Sequence, residues 1–155
     1  MIRIEAHPGR EVAPEVNVFF RTVGGLGRVR PSDLLFLAYE EDRLVGCLRF
    51  AQELDIHILR SLLVDPEWRG QGVGHELMAT AVRHGEEEGV NALFCLSYPH
   101  LEAFYRFHGF ETITGESIPR LLDTRMLSYG LQGIDVICMR RPFDASPTRT
   151  AGDSP

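Results

Sequence analysis

Val64-Asp65-Pro66-Glu67-Trp68-Arg69-Gly70-Gln71-Gly72-Val73-Gly74 joins two unlike segments. An apolar run, Ile58 to Val64, leads into it, and an amphipathic segment, Val73 to Glu88, leads out. A strand that turns through glycines into a helix start makes an anion cradle. Glycine lets the backbone adopt positive φ and approach a ligand closely. The first helical turn offers unpaired N–H groups and the positive end of the helix dipole. Arg69 adds a permanent, multidentate cation. The ligand expected over Arg69 to Gly74 is therefore a phosphate or pyrophosphate, with Gly70, Gln71, Gly72, Val73 and Gly74 at the turn and His75 touching it through its backbone.

The common nucleotide loops do not fit. A P-loop places Lys and then Ser or Thr after its last glycine, whereas His75 follows Gly74. A dinucleotide fingerprint needs G-x-G-x-x-G, whereas the spacing here is Gly70-x-Gly72-x-Gly74. The pattern that does fit is Arg-x-x-Gly-x-Gly. Through Arg69, Gly72 and Gly74 the chain resembles the GNAT superfamily of N-acetyltransferases, whose signature is Gln/Arg-x-x-Gly-x-Gly/Ala. A second stretch, Tyr98 to Phe110, resembles that family's later motif, Asn-x-x-Ala-x-x-Phe-Tyr-x-x-x-Gly-Phe. Phe104, Tyr105, Gly109 and Phe110 match, while Tyr98 stands where Asn is common and Leu101 where Ala is common.

The resemblance spans about residues 1–143, and its implications are specific. The fold would be α/β with a mixed central sheet of about six to seven strands flanked by helices, strands four and five splayed apart. The loop would hold the pyrophosphate of acetyl-CoA, and pantetheine would lie between the splayed strands, beside Tyr98. Main-chain groups of Leu62, Leu63 and Val64 would bond it as an added strand. The Val64 or Leu62 amide would polarise the acetyl carbonyl. Tyr105 would be the general acid, because a phenol with a pKa near 10 is protonated at neutral pH and a thiolate profits from its proton. For the general base, Glu53, Asp55 and His57 are candidates, alongside water or a residue elsewhere. Arg120 and Arg125 are candidates for an acceptor carboxylate, or are solvated charges. Direct transfer to the primary amine of a small molecule is expected. A protein N-terminus or lysine acceptor, and a non-catalytic acyl-CoA sensor, are the alternatives. Family members often form homodimers.

Composition sets the remaining bounds. At 155 residues, 44% hydrophobic and 25% charged, the chain reads as one globular domain, 1–143, followed by a Ser, Thr, Pro and Gly-rich tail, 144–155, expected to be disordered. Its net charge of −6 argues against a nucleic-acid surface and leans towards a cationic acceptor, although solubility explains the sign equally well. No apolar run approaches the ~18 residues of a membrane span, and Met1 to Ala6 lacks a signal-peptide layout. Cys47, Cys95 and Cys138 lie in strand-like runs without CxxC spacing, which points to reduced thiols in a cytoplasm. Of the three, Cys95 is the one to test as a nucleophile. The histidines have no metal-ligand spacing, so no metal is expected.

The periodicity places strands at Ile2–Ala6, Leu34–Tyr39, Arg43–Leu54, Asp55–Val64, Asn91–Ser97, Phe110–Thr114 and Ile134–Arg140. Helices are expected at Pro14–Val23, Val73–Glu88 and Pro99–His108, with a short one at Pro119–Leu127.

Overall fold

The computed structural model describes residues 1–25 and 27–144; the expected tail from 145 onward lies outside them. The elements run β1 (Ile2–Pro8), α1 (Gly9–Val23), β2 (Leu34–Glu40), β3 (Arg43–Glu53), β4 (Ile56–Val64), α2 (Val73–Glu87), β5 (Ala92–Ser97), α3 (Glu102–Phe107), β6 (Glu111–Ile113), α4 (Arg120–Leu131) and β7 (Ile137–Pro142). Short 3-10 turns, Pro66–Trp68 and Pro99–Leu101, precede α2 and α3.

All seven strands form one sheet in the order β1-β2-β3-β4-β5-β7-β6. Every neighbouring pair is antiparallel except β4 and β5. That parallel pair meets only at His57–Leu93 and Ile58–Phe94. Beyond Ile58 the two strands separate, as expected for strands four and five, and the β5-facing edge of β4 is left open. An open edge presents backbone donors and acceptors to whatever enters the gap.

The sheet buries both faces. On one, α2 lays Val73, Leu77, Met78 and Ala81 over Phe36, Leu48, Phe50, Leu59 and Leu93, joined by Tyr105 and Phe110. On the other, α1 packs Val16, Phe19 and Phe20 on Leu35, Leu37 and Cys47, and Leu122 of α4 packs on Ile58, Phe94 and Cys138. Burying each large apolar side chain is worth ~1.5–3 kcal/mol, so the two layers fix which way each residue of β4 faces.

The expected elements exist, with boundary shifts that have physical causes. Helix α1 starts at Gly9, five residues before the expected Pro14, because the Gly9 amide docks on the Asp33 carbonyl at 2.7 Å. Strand β7 starts at Ile137 instead of Ile134, because the Ile134 amide is taken by the Tyr129 carbonyl (2.9 Å) in closing the end of α4. The same α4 runs four residues past the expected Leu127, through Gly130, which reads in sequence as a stop.

Candidate active site

One bulge organises the site. Cys47 pairs with Leu63 but Arg49 pairs with Arg60, so β4 carries one extra residue opposite Leu48. Ser61 takes the left-handed conformation there (φ 56°), a state that costs a non-glycine residue ~1–3 kcal/mol and tends to survive at functional sites. The bulge breaks the strand's alternation. Leu59 and Leu62 both pack with the α2 layer, and Leu63 packs with the α1 layer. The two residues between Leu59 and Leu62, Arg60 and Ser61, line the same cavity.

Two cavities meet along this strand. The first, about 690 Å³, runs from Leu62, Leu63 and Val64 over Trp68, Arg69, Gly70, Gly72, Val73, Gly74 and His75 to Phe104. The second, about 560 Å³, lies between the end of α1, β4 and α4, and includes Arg60, Ser61, Tyr105, Arg125 and Tyr129. Leu62, Leu63, Arg69, Tyr98 and Leu101 line both. The two cavities thus adjoin along the open edge of β4.

The first cavity is lined by the stretch that reads in sequence as an anion cradle. Gly70 and Gly72 sit at φ 77° and 87°, where an L side chain is strained even though open space surrounds both. Gly72 starts α2, and the first intrahelical bond is Glu76 N–H to Gly72 carbonyl at 3.0 Å. That leaves the amides of Val73, Gly74 and His75 without helical acceptors, at the positive end of the dipole. Gly74 lies close to the Phe104 ring, 3.7 Å from where a Cβ would be, an ordinary contact that alanine would also satisfy. Arg69 is exposed and donates through Nε to the Val64 carbonyl at 3.1 Å, which anchors the guanidinium beside the turn. Gln71 is exposed and bonds the Glu67 carbonyl through Nε2 at 3.1 Å; it does not line the cavity. The His75 imidazole meets His108 at 2.8 Å, Nδ1 to Nε2, and burial, then the His75 charge, holds the His108 pKa low.

Tyr105 lines the second cavity, and its neighbour Phe104 lines the first. Its ring makes edge contacts with Phe104 at 5.2 Å and Phe110 at 5.6 Å. The Phe110 amide closes α3 onto the Tyr105 carbonyl at 3.1 Å, with Gly109 between them at φ 92°. The Gly-Phe of the second motif is therefore a helix cap that pins the tyrosine. Burial first, then neighbouring Cys95, pushes the phenol's pKa up, so it is protonated throughout the working pH range. Cys95 is itself buried and its thiol pushed up in pKa, which makes it inert as a nucleophile.

The three candidate bases are elsewhere. Asp55 is exposed in the β3–β4 turn. His57 packs on the Phe50 ring at 5.9 Å, with a pKa lowered by burial, and does not line the second cavity. Glu53 is an ion-pair hub. It accepts Arg125 Nη2 at 2.7 Å and Nη1 at 3.3 Å, accepts Arg60 Nη1 at 3.3 Å, and lies 3.7 Å from Arg30 Nη1. Burial alone would raise its pKa, but the Arg125 hydrogen bond and the charges of Arg125, Arg60 and Arg30 outweigh it and the pKa falls. Of the two candidate arginines, Arg125 lines the second cavity, whereas Arg120 is exposed at the start of α4 and lines neither.

Sequence reasoning missed a buried group beside this wall. Arg49 and Asp33 are almost completely buried and pair at 2.9 Å, and Arg49 also donates to Ser61 Oγ at 3.3 Å. Arg49 Nη2 has no partner among the described residues. The signal was present: an arginine inside the apolar strand Val45 to Ala51 has to have a partner.

Comparison with known proteins agrees with this geometry. The acetyltransferase (GNAT) domain family matches residues 27–120. The chain belongs to the GNAT acetyltransferase family. It is 36% identical over 95 residues to the uncharacterised N-acetyltransferase YjhQ of Escherichia coli K12, a match covering 56% of this chain and 50% of that protein. The chain thus spans about half the length of that curated relative. Two solved structures show the same fold. N-acetylglutamate synthase from Neisseria gonorrhoeae, complexed with coenzyme A and N-acetyl-glutamate, superposes with a TM-score of 0.71 at 23% identity, covering 93% of this chain and 35% of that one. Rv2747 from Mycobacterium tuberculosis, in complex with CoA, gives 0.69 at 19%, covering 93% and 99%. No helix among the described residues is long and apolar enough to cross a membrane, and no group of three or more His, Cys, Asp or Glu among them could hold a metal ion.

Proposed function

We propose that the chain transfers an acetyl group from acetyl-CoA to the primary amine of a small molecule. The observation that carries this reading is that the glycine-turn cavity and the cavity lined by Tyr105 share the wall of β4 at Leu62 and Leu63. The residues present fit coenzyme A: the Val73, Gly74 and His75 amides with Arg69 for the diphosphate, and the open edge of β4 at Leu62 to Val64 for the amide-rich arm. When bound, acetyl-CoA supplies the thioester. Tyr105 gives its phenolic proton to the departing sulfur and takes one back from solvent.

The amine must first lose its own proton. Among the described residues lining the second cavity none is an Asp, Glu or His, so no side-chain base of those types faces the amine. Arg60 and Arg125 do the work differently: nearby positive charge and desolvation both disfavour an ammonium, lowering its pKa so that water can take the proton. The nitrogen–carbon bond forms as the carbon–sulfur bond breaks, without a covalent enzyme intermediate. The three buried thiols, none in a disulfide, suit a reducing compartment such as the cytoplasm.

The test is thiol release from acetyl-CoA with a panel of amines, with calorimetry of CoA binding alongside. Turnover on small amines is expected. Binding without turnover on any amine indicates a sensor, and absence of CoA binding overturns the reading altogether.

A further inference from the structure

The second cavity carries a charge pattern that acetyl transfer to a plain amine does not need. Its wall includes Arg60, Arg69 and Arg125 and, among the described residues, no carboxylate, although the protein as a whole is negative at −6. Arg60 and Arg125 are half-buried, with side-chain exposures of 23% and 22%. They and Arg30 share one counter-charge, Glu53, itself outside the cavity wall. Three guanidiniums against one carboxylate leave a formal surplus of two positive charges. Arg49 adds nothing to that surplus, because Asp33 neutralises it.

Cross-strand register sharpens the point. Arg60 lies directly opposite Arg49 on β3, a like-charge pairing that sheets avoid. The fold keeps it, and the bulge at Ser61 keeps Arg60 on the cavity wall. Burial, then the charges of Arg49 and Arg125, lowers the Arg60 pKa, which is the mark of a cation short of anions. The donors left over are the useful ones. Of five N–H donors each, Arg125 gives two to Glu53, one from each Nη, and Arg60 gives one, from Nη1.

The geometry points to an acceptor that carries a carboxylate as well as its amine, the carboxylate held between Arg60 and Arg125 and the amine directed towards Tyr105 and the β4–β5 gap. Glu53 shows that one carboxylate already spans these two guanidiniums from outside the cavity; the acceptor supplies a second from within. This rests on the acetyl-transfer reading above and names its substrate class as amino acids. It also accounts for the cavity's position: at one end it reaches the gap and Tyr105, and at the other Arg125, Tyr129 and Gln132 of α4 and its cap.

The experiment compares glycine, alanine, glutamate and lysine with their carboxamides and with phosphoethanolamine, in the full chain and in Arg125→Ala and Arg125→Lys. Amino acids should be acetylated with a KM at least about tenfold below their amides, the loss of charged hydrogen bonds. Arg125→Ala should raise that KM about tenfold with CoA affinity unchanged, and Arg125→Lys should recover part of it. Equal use of amides overturns the carboxylate site while leaving acetyl transfer intact, and so does a preference for phosphoethanolamine. If no amine is acetylated, the transfer reading fails and the site is judged by calorimetry with N-acetylalanine against N-acetylalaninamide on the CoA-saturated protein. Heat from the acid alone, lost in Arg125→Ala, supports the site; no heat overturns it. If Arg125→Ala does not fold, Arg60→Met in the same series decides.

Discussion

The proposed diphosphate cradle and the proposed acceptor cavity share the same wall of β4, yet they are made of different material. The cradle is main chain. Its donors are the amides that open α2, its shape is set by Gly70 and Gly72, and its lone cation, Arg69, is exposed and borrowed from the surface. The acceptor wall is side chain. Its charges come from Arg60 and Arg125, with Arg69 shared with the cradle, its support from Arg30, Asp33, Arg49 and Glu53, and most of these groups are partly or wholly buried. A site of the first kind costs the fold little and tolerates little change of backbone. A site of the second kind is written into stability as well as binding.

That contrast can be broken most forcefully at Asp33. Asp33→Ala strands the buried Arg49 guanidinium and removes the acceptor of the Arg30 amide (2.8 Å). Breaking one partner of a buried pair costs ~3–5 kcal/mol, a fall in Tm of about 10 °C in a chain of this size. Arg69→Ala, on the cradle side, should move Tm by the ~0.5 kcal/mol or less of a surface change while weakening CoA binding. Thermal melts of the two variants side by side give the answer. Equal Tm values would mean that the acceptor wall is not structural.

Tyr105 lines the second cavity yet should follow neither region. Tyr105→Phe keeps the ring and its contacts with Phe104 and Phe110 while deleting the proposed acid. The expected result is a kcat lower by at least about a hundredfold with CoA affinity held, since general acids contribute ~10²–10⁴-fold. The raised phenol pKa adds a second signature: the wild-type rate should show no alkaline loss near pH 10 from this group. An unchanged kcat removes Tyr105 from the chemistry. Smaller again is the effect of Gly72→Val. It places a β-branched residue at φ 87° and should weaken CoA binding about tenfold, equivalent to ~1.4 kcal/mol, with acceptor KM unmoved.

Legibility in the sequence divides along the same line. A main-chain site needs consecutive residues with particular φ values, so Arg69 to Gly74 and Phe104 to Phe110 carry it in short motifs. The sheet and its helices follow from the apolar period, and the splay of strands four and five from the family resemblance that those motifs carry. The acceptor wall draws Arg30, Arg49, Arg60 and Arg125 from three strand and loop segments and a helix, and no spacing rule joins them. Arg125 was singled out in sequence, but so was Arg120, because nothing local separates the residue that lines the cavity from the one that faces water. Glu53 shows the limit most plainly. A carboxylate at the end of a strand reads as one candidate base among three, and only the folded chain brings it against Arg60 and Arg125.

The finest separation of the two regions is by acid. Glu53 has a folded pKa below its ordinary value, so its contribution to stability is complete above the unfolded pKa of about 4.3 and is lost as pH falls through the folded one. Protonating it frees Arg125, Arg60 and Arg30 at once, and α4 loses its tie to β3. Glu53→Gln imitates the protonated state at every pH. Wild type should therefore exceed the variant by ~1 kcal/mol, about 2–4 °C in Tm, at pH 6, and the gap should close as pH falls below the unfolded value of about 4.3 and on through the lowered folded one. The proposed cradle would hold its ligand chiefly with main-chain amides, which carry no titrating group. CoA binding to the folded protein should show no matching step, and a shared step would mean that the two regions are one electrostatic unit.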